Sequence, residues 1–139
     1  MNNTGAVRKP IYAPELLAHH ESLSIVSEAF KTVRTNIEFS SVDKPLTTIG
    51  ITSIAQAEGK SSIAANLALT FAQINRRVLL VDADLRRPIL HRLFGLSNRR
   101  GLTSALLNLD CYTDYIQHSL TPNLAVLPSG PVPPNPQSL

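Results

Sequence analysis

The residues of this chain best suited to chemistry are Gly59-Lys60-Ser61-Ser62. A glycine, a lysine and a hydroxyl in that order suit a grip on the phosphates of a nucleotide. In such a turn the backbone N–H groups, and those of the helix it opens, point at phosphate oxygens. The lysine reaches the β- and γ-phosphates, and the hydroxyl after it binds magnesium. On this reading Lys60 takes the phosphates of ATP and Ser61 takes Mg2+. Gln56, Ala57, Glu58, Gly59 and Ser62 complete the nucleotide-binding loop. Gly-Lys-Ser alone is common by chance; its position after Thr48-Ile49-Gly50-Ile51-Thr52-Ser53 gives it weight. The loop is an imperfect phosphate loop. The full pattern has glycine where Ile54 stands, and Gln56 and Ala57 reach positive φ less easily than glycine.

A second group lies in Val81-Asp82-Ala83-Asp84-Leu85-Arg86. Ligands of open parallel sheets bind beyond the carboxyl ends of the strands. Two carboxylates there suit magnesium binding through water, or polarisation of a hydroxyl that attacks the γ-phosphate. The plainer alternative is an aspartate that caps a helix after a strand. Beside a phosphate loop the catalytic reading is preferred, with Lys60, Asp82 and Asp84 as catalytic residues and Ser61, Asp82 and Asp84 at the metal. Arg86 and Arg87 add positive charge for a phosphate or a partner chain.

These residues need elements to hold them. Leu46–Ser53 is an apolar, β-branched run that predicts a buried strand. From Gly59 a helix is predicted with a stripe of Ile63, Leu67, Phe71 and Ile74, ended by Asn75-Arg76-Arg77. Val78–Val81 is a second strand, so strand, loop, helix and strand make one βαβ unit. Upstream, Ile25, Ala29, Val33 and Ile37 recur at helical spacing with Phe30 alongside, and Ser27-Glu28 could help to start that helix. Its opposite face carries Glu28, Lys31 and Arg34, a solvated and self-paired set on the plain reading. Short helices are predicted at 89–94, 101–109 and 112–120, and a third strand at 124–127. The run 128–136 holds five prolines in nine residues and predicts an extended loop outside the core. Residues 1–23 read as a flexible arm, with His19-His20 as polar linker, and 24–139 as one domain.

At 139 residues there is room for a single core. A net charge of +3 comes with a local basic cluster of Arg86, Arg87, Arg92, Arg99 and Arg100. Such a cluster suits phosphates, nucleic acid or an anionic membrane, or simply a solvated surface. Aromatic residues are 5% with no tryptophan, which argues against base stacking, so no nucleic acid is expected. The single Cys111 cannot form an internal disulfide, and no run approaches the roughly 20 apolar residues of a membrane span. The N-terminus lacks a signal-peptide pattern. The expectation is a cytoplasmic protein that meets the membrane only through a partner.

Taken together, these motifs resemble the bacterial tyrosine kinases of capsular and exopolysaccharide systems. The resemblance rests on Ser27–Ile37, the loop Thr52–Ser62, Ala64–Ala68, Val78–Pro88 and Leu127-Pro128-Ser129-Gly130 with Pro133–Pro136. It implies an α/β P-loop fold, a parallel sheet with helices on both faces in three layers. It also implies ATP and Mg2+ as cofactors, protein tyrosines as substrates, and a membrane polysaccharide co-polymerase as activating partner at the inner membrane face. In that family a Glu-x-x-Arg-x-x-Arg helix mediates ring-like oligomerisation. Glu28 and Arg34 match it, while Lys31 keeps the charge of the middle arginine without its fork, which implies weaker assembly. The family has Pro-Gly where Gln56-Ala57 stand, and it too lacks glycine at the position of Ile54. Asp82 and Asp84 match its second motif, credited with magnesium binding and activation of the substrate tyrosine. Its third motif and its C-terminal tyrosine cluster have no counterpart here: Tyr12, Tyr112 and Tyr115 are scattered. The sheet is expected to be incomplete and the chain a fragment of a longer kinase. Two rivals are a partitioning or septum-positioning ATPase, which would carry lysine at the position of Ala55, and an inactive nucleotide-binding regulator.

Overall fold

The computed structural model describes residue 16 and residues 24–41 and 43–138. Helix α1, Ile25–Phe39, starts where the Ser24 hydroxyl accepts the Ser27 N–H at 3.1 Å, so Ser24 and not Ser27 is the cap. Its inward face differs from the predicted one. Ser27 is buried and Phe30, Arg34 and Ile37 are half-buried, while Ile25 is 90% exposed and Val33 47%. The apolar stripe is therefore split: Ile25, Ala29 and Val33 look outward, while Phe30 and Ile37 turn partly inward. The small Ser27 and an acceptor found by Arg34 on the neighbouring helix set the orientation instead.

Helix α2, Lys60–Gln73, follows Gly59 at φ 80 and ψ 14, a left-handed geometry that glycine adopts without strain. It stops as expected: Ile74 departs from helical φ/ψ and Asn75 takes φ 62. Ala65, Leu67, Ala68, Leu69 and Ala72 are its buried apolar residues, whereas Ile63 and Ile74 stand partly in solvent. Its alanines let the helix lie close on the strands beneath.

Strand β1, Val78–Val81, runs parallel to β3, Leu124–Leu127, in register from Val78 opposite Leu124 to Val81 opposite Leu127. Strand β2, Gln117–His118, pairs with β3 antiparallel, giving the order β1-β3-β2. The sheet is thus mixed, not parallel throughout. β2 also replaces the second half of the helix predicted over 112–120; the first half is a 3-10 turn, Leu109–Tyr115. Short helices α3, Leu90–Leu93, and α4, Leu102–Leu107, lie where helices were predicted.

The predicted strand at Leu46–Ser53 does not form a ladder. Residues 45–53 carry no regular secondary structure: a strand exists only with a neighbour about 4.8 Å away to take its N–H and C=O groups, and none of the described residues does so. A trough of about 980 Å3 separates this segment from the free edge of β1, lined by Leu46, Ile49, Leu67, Phe71, Leu79 and Val81 among others. Leu79 and Val81 are 47% and 41% exposed, so the described residues leave that face of β1 without a helix layer.

The core lies on the other face. Val78 and Leu80 of β1 and Leu124 and Val126 of β3 meet Ala65, Ala68, Leu69 and Ala72 of α2, with Leu90, Leu93 and Phe94 closing one end. Leu16 is fully buried in this cluster, so part of the predicted arm is a core anchor. The rest of that arm, with His19 and His20, lies outside the described residues. The proline-rich tail also corrects its prediction, since Pro128 and Ser129 are fully buried. Leu102 and Thr103 donate N–H groups to Pro128 and Ser129 carbonyls at 2.8 and 2.9 Å, and Asn98 accepts from and donates to the Gly130 backbone at 2.9 and 3.0 Å.

Candidate nucleotide site

The loop between Ser53 and Gly59 joins the segment 45–53 to the N-terminus of α2. Within it the Ser53 hydroxyl donates to the Ala55 carbonyl at 3.0 Å, and Glu58 folds back so that its Oε2 accepts the Ala55 N–H at 3.2 Å. A carboxylate thus occupies one of the amides that this kind of loop turns toward an anion. Ala57 takes φ 61, left-handed backbone that costs a non-glycine residue about 1–2 kcal/mol. The departure from glycine that the sequence displayed at Ala57 is therefore met by strain, not by a different path.

Lys60 is the first residue of α2 and Asp84 lies three residues beyond the end of β1. Their side chains meet: Lys60 Nζ donates to Asp84 Oδ2 at 2.5 Å, with the lysine side chain 34% exposed and the aspartate 17%. Asp84 Oδ1 accepts the N–H groups of Arg86 and Arg87 at 3.2 and 2.9 Å. The hydrogen bond from Lys60 is the main cause holding the Asp84 carboxyl below its ordinary range; partial burial opposes it, and the Arg87 and Arg86 amides reinforce it. Two residues 24 positions apart, singled out on chemistry alone, are in contact.

Asp82 has a different setting. It is 3% exposed, and its Oδ1 accepts the Asp84 N–H at 3.1 Å. Its Oδ2 accepts from Ile89 and Leu90 at 3.1 and 3.0 Å, the entry to α3. Three backbone donors hold this buried carboxylate, which in turn fixes the loop that carries Asp84. Nothing in the pattern Asp-x-Asp pointed to Ile89 and Leu90 as its anchors, because amide donors carry no side-chain signature. Beside them His91 has a buried Nδ1 without a partner among the described residues, and burial first, then the charge of Arg92, keeps the pKa of its imidazole below the usual range while Asp82 pulls the other way.

Ser61 and Ser62 sit half-buried in the first turn of α2, where the Ser62 carbonyl takes the Asn66 side-chain amide at 2.8 Å. For magnesium the donor set fits in part: Ser61 offers a hard oxygen at the helix start, whereas both Asp82 oxygens hold amides and the Asp84 oxygens hold two amides and Lys60, which would have to yield to a metal. No group of three metal-ligating side chains occurs among the described residues. The basic cluster Arg86, Arg87, Arg92, Arg99 and Arg100 is exposed throughout.

On α1, Glu28 and Lys31 pair with each other at 2.7 Å. Arg34 does not join them; its Nη1 donates to the Thr70 carbonyl of α2 at 2.7 Å. The periodicity placed Arg34 on the solvated face and gave no sign of Thr70.

Comparison with known proteins gives the family. Residues 49–130 match the CobQ/CobB/MinD/ParA nucleotide binding domain. The chain is 50% identical over 124 residues to the tyrosine-protein kinase YwqD of Bacillus subtilis, covering 89% of this chain and 52% of that protein. It is 40% identical over 113 residues to the tyrosine-protein kinase CpsD of Streptococcus agalactiae, covering 81% and 48%. The chain spans about half the length of these relatives. Among solved structures, the chimerical protein CapA2B2 superposes with a TM-score of 0.82 at 46% identity, over 88% of this chain and 54% of that one. The kinase domain of Escherichia coli tyrosine kinase ETK superposes at 0.77 with 33% identity, over 88% and 48%.

Proposed function

For a chain that belongs to the CobQ/CobB/MinD/ParA nucleotide-binding domain family and whose relatives are bacterial tyrosine-protein kinases, we propose that it is the nucleotide-binding part of an ATP-dependent protein-tyrosine kinase. The observation that carries the proposal is the meeting of Lys60, at the start of α2, with Asp84, beyond the carboxyl end of β1. Positive charge from Lys60 and the α2 N-terminus faces the phosphates of ATP, and the loop amides around Gly59 line them. Lys60 exchanges Asp84 for phosphate oxygens. Asp84, once released by Lys60, would accept a proton from an attacking hydroxyl or help to hold Mg2+. Asp82 keeps the Asp84 loop in place through Ile89 and Leu90, and with its oxygens holding amides it would reach a bound Mg2+ only through water. Bound Mg2+, with Ser61 as a ligand, would neutralise charge developing on the phosphates.

The motif resemblance to the bacterial tyrosine kinases of capsular and exopolysaccharide systems extends the proposal to work on capsular or exopolysaccharide assembly. The partner would be a membrane polysaccharide co-polymerase that brings the chain to the inner face of the membrane, in a ring built partly through Glu28, Lys31 and Arg34. No helix of the described residues is long and apolar enough to cross a membrane, which fits recruitment by a partner. Alanine, not lysine, at position 55 favours this reading over a partitioning ATPase.

Incubating the purified chain with γ-labelled ATP and magnesium, beside Lys60→Met, tests the proposal. ATP binding is expected for the wild type, weakened by at least about tenfold in the variant, since one charged hydrogen bond in such a site is worth about 1.5–3 kcal/mol. Phosphotyrosine formed only with Lys60 intact supports the kinase. Binding without phosphotyrosine reduces the reading to a nucleotide-binding regulator, and absence of binding overturns it.

A further inference from the structure

The last turn of α2 has a shortage of donors. A helix leaves its final carbonyls without intrahelical partners, and cations near that end are favoured by the helix dipole. In α2 the N–H of Ile74, which would reach Thr70 in a continued helix, turns to Phe71 and Ala72, and Arg76 also donates to Phe71. The last turn holds no basic residue of its own. Into this place comes Arg34 from α1, its Nη1 at 2.7 Å from the Thr70 carbonyl. The guanidinium is sunk far enough that its Nε is buried without a partner among the described residues. Such an orphan donor is costly, so a side chain that could swing into solvent is held here by what its other nitrogen gains.

We propose that Arg34 is a positioning residue of the nucleotide site, capping the C-terminus of α2 from the neighbouring helix. It supplies the hydrogen bond and the positive charge that α2 lacks, and it fixes the axis of the helix whose other end carries Gly59, Lys60 and Ser61. Of the residues matched to the assembly motif, Glu28 and Lys31 pair with each other on α1, while Arg34 also reaches across to α2. Its effect on nucleotide affinity rests on the proposed nucleotide site; its effect on α2 does not.

Three variants separate the contributions. Arg34→Met removes donor and charge, Arg34→Gln keeps a donor alone, and Arg34→Lys keeps both. Amide hydrogen exchange over residues 70–76 and the dissociation constant of a fluorescent MgADP are measured at a concentration where light scattering shows monomer. In Arg34→Met, exchange over 70–76 is expected to rise about tenfold and MgADP affinity to fall about three- to tenfold. Arg34→Gln is intermediate and Arg34→Lys is near wild type, whereas Lys31→Met changes neither quantity. Should Arg34→Met not fold, the graded pair Gln and Lys still decides. Unchanged exchange over 70–76 in Arg34→Gln, or failure of Arg34→Lys to recover it, overturns the cap. A wild type that binds no MgADP overturns the nucleotide reading, and the exchange result then judges the cap alone.

Discussion

At φ 61, Ala57 adopts the backbone that a glycine would adopt freely. The strain is about 1–2 kcal/mol, and glycine would give back about 0.4–1 kcal/mol of it through a freer unfolded chain. Ala57→Gly is therefore expected to stabilise the chain by about 0.5–1 kcal/mol, seen as a higher denaturant midpoint with an unchanged slope. A lower midpoint would show that the loop does not hold this conformation in solution. Asp84 makes a second prediction, on pH. Lys60 and the Arg86 and Arg87 amides depress its folded pKa below the unfolded 3.8. The unfolded state thus binds more protons in the window between the two values. The stabilisation is fully present above the unfolded pKa and is lost as pH falls through the folded one. Acid titration of stability should show that loss below about pH 4 in the wild type and a shallower one in Asp84→Asn. Parallel curves for the two proteins would remove Asp84 as the cause.

Elements differ in how far their residues announce them. The helix opened by Gly59 was legible at both ends, because a glycine at positive φ and the Asn75 turn are local signals. Val78–Val81 and Leu124–Leu127 were legible as apolar runs, and Lys60 and Asp84 as a pair of charges at the ends of predicted elements. What stayed hidden depended on distant partners. Leu46–Ser53 has strand composition, yet strand pairing is a property of two segments, and here the second is lacking among the described residues. Residues 117–118 are too short for any periodicity, and only β3 makes them a strand. The inward face of α1 was misjudged because counting apolar side chains cannot foresee that Arg34 would find Thr70. Pro128 and Ser129 read as loop because prolines do so locally, whereas Leu102, Thr103 and Asn98 supply the hydrogen bonds that let this backbone be buried.

For the molecule as a whole, the consequence is an open sheet. Among the described residues β1 pairs on one side only, with β3, and its other edge looks across an apolar trough at the segment 45–53, which pairs with none of them. Leu46, Ile49, Leu79 and Val81 are each 41–52% exposed there. Free N–H and C=O groups beside half-exposed aliphatic side chains are a template for another strand, and natural edges are commonly guarded by charge for that reason. Neither β1 nor Leu46–Ser53 contains a charged residue. Self-association through this trough should therefore limit the solubility of the chain, at concentrations in the micromolar range and above. Leu79→Lys places a charge on the open strand while leaving Val78 and Leu80 in the core. It is expected to suppress concentration-dependent association in light scattering and to change stability by no more than about 0.5 kcal/mol, as for other surface substitutions. Lys44→Leu, outside the trough lining, serves as the opposite control for general surface hydrophobicity. If Leu79→Lys associates as strongly as the wild type, the trough is not the sticking surface. If the variant stays monomeric where the wild type does not, the open edge of β1 is identified as the place where this fold accepts a further strand.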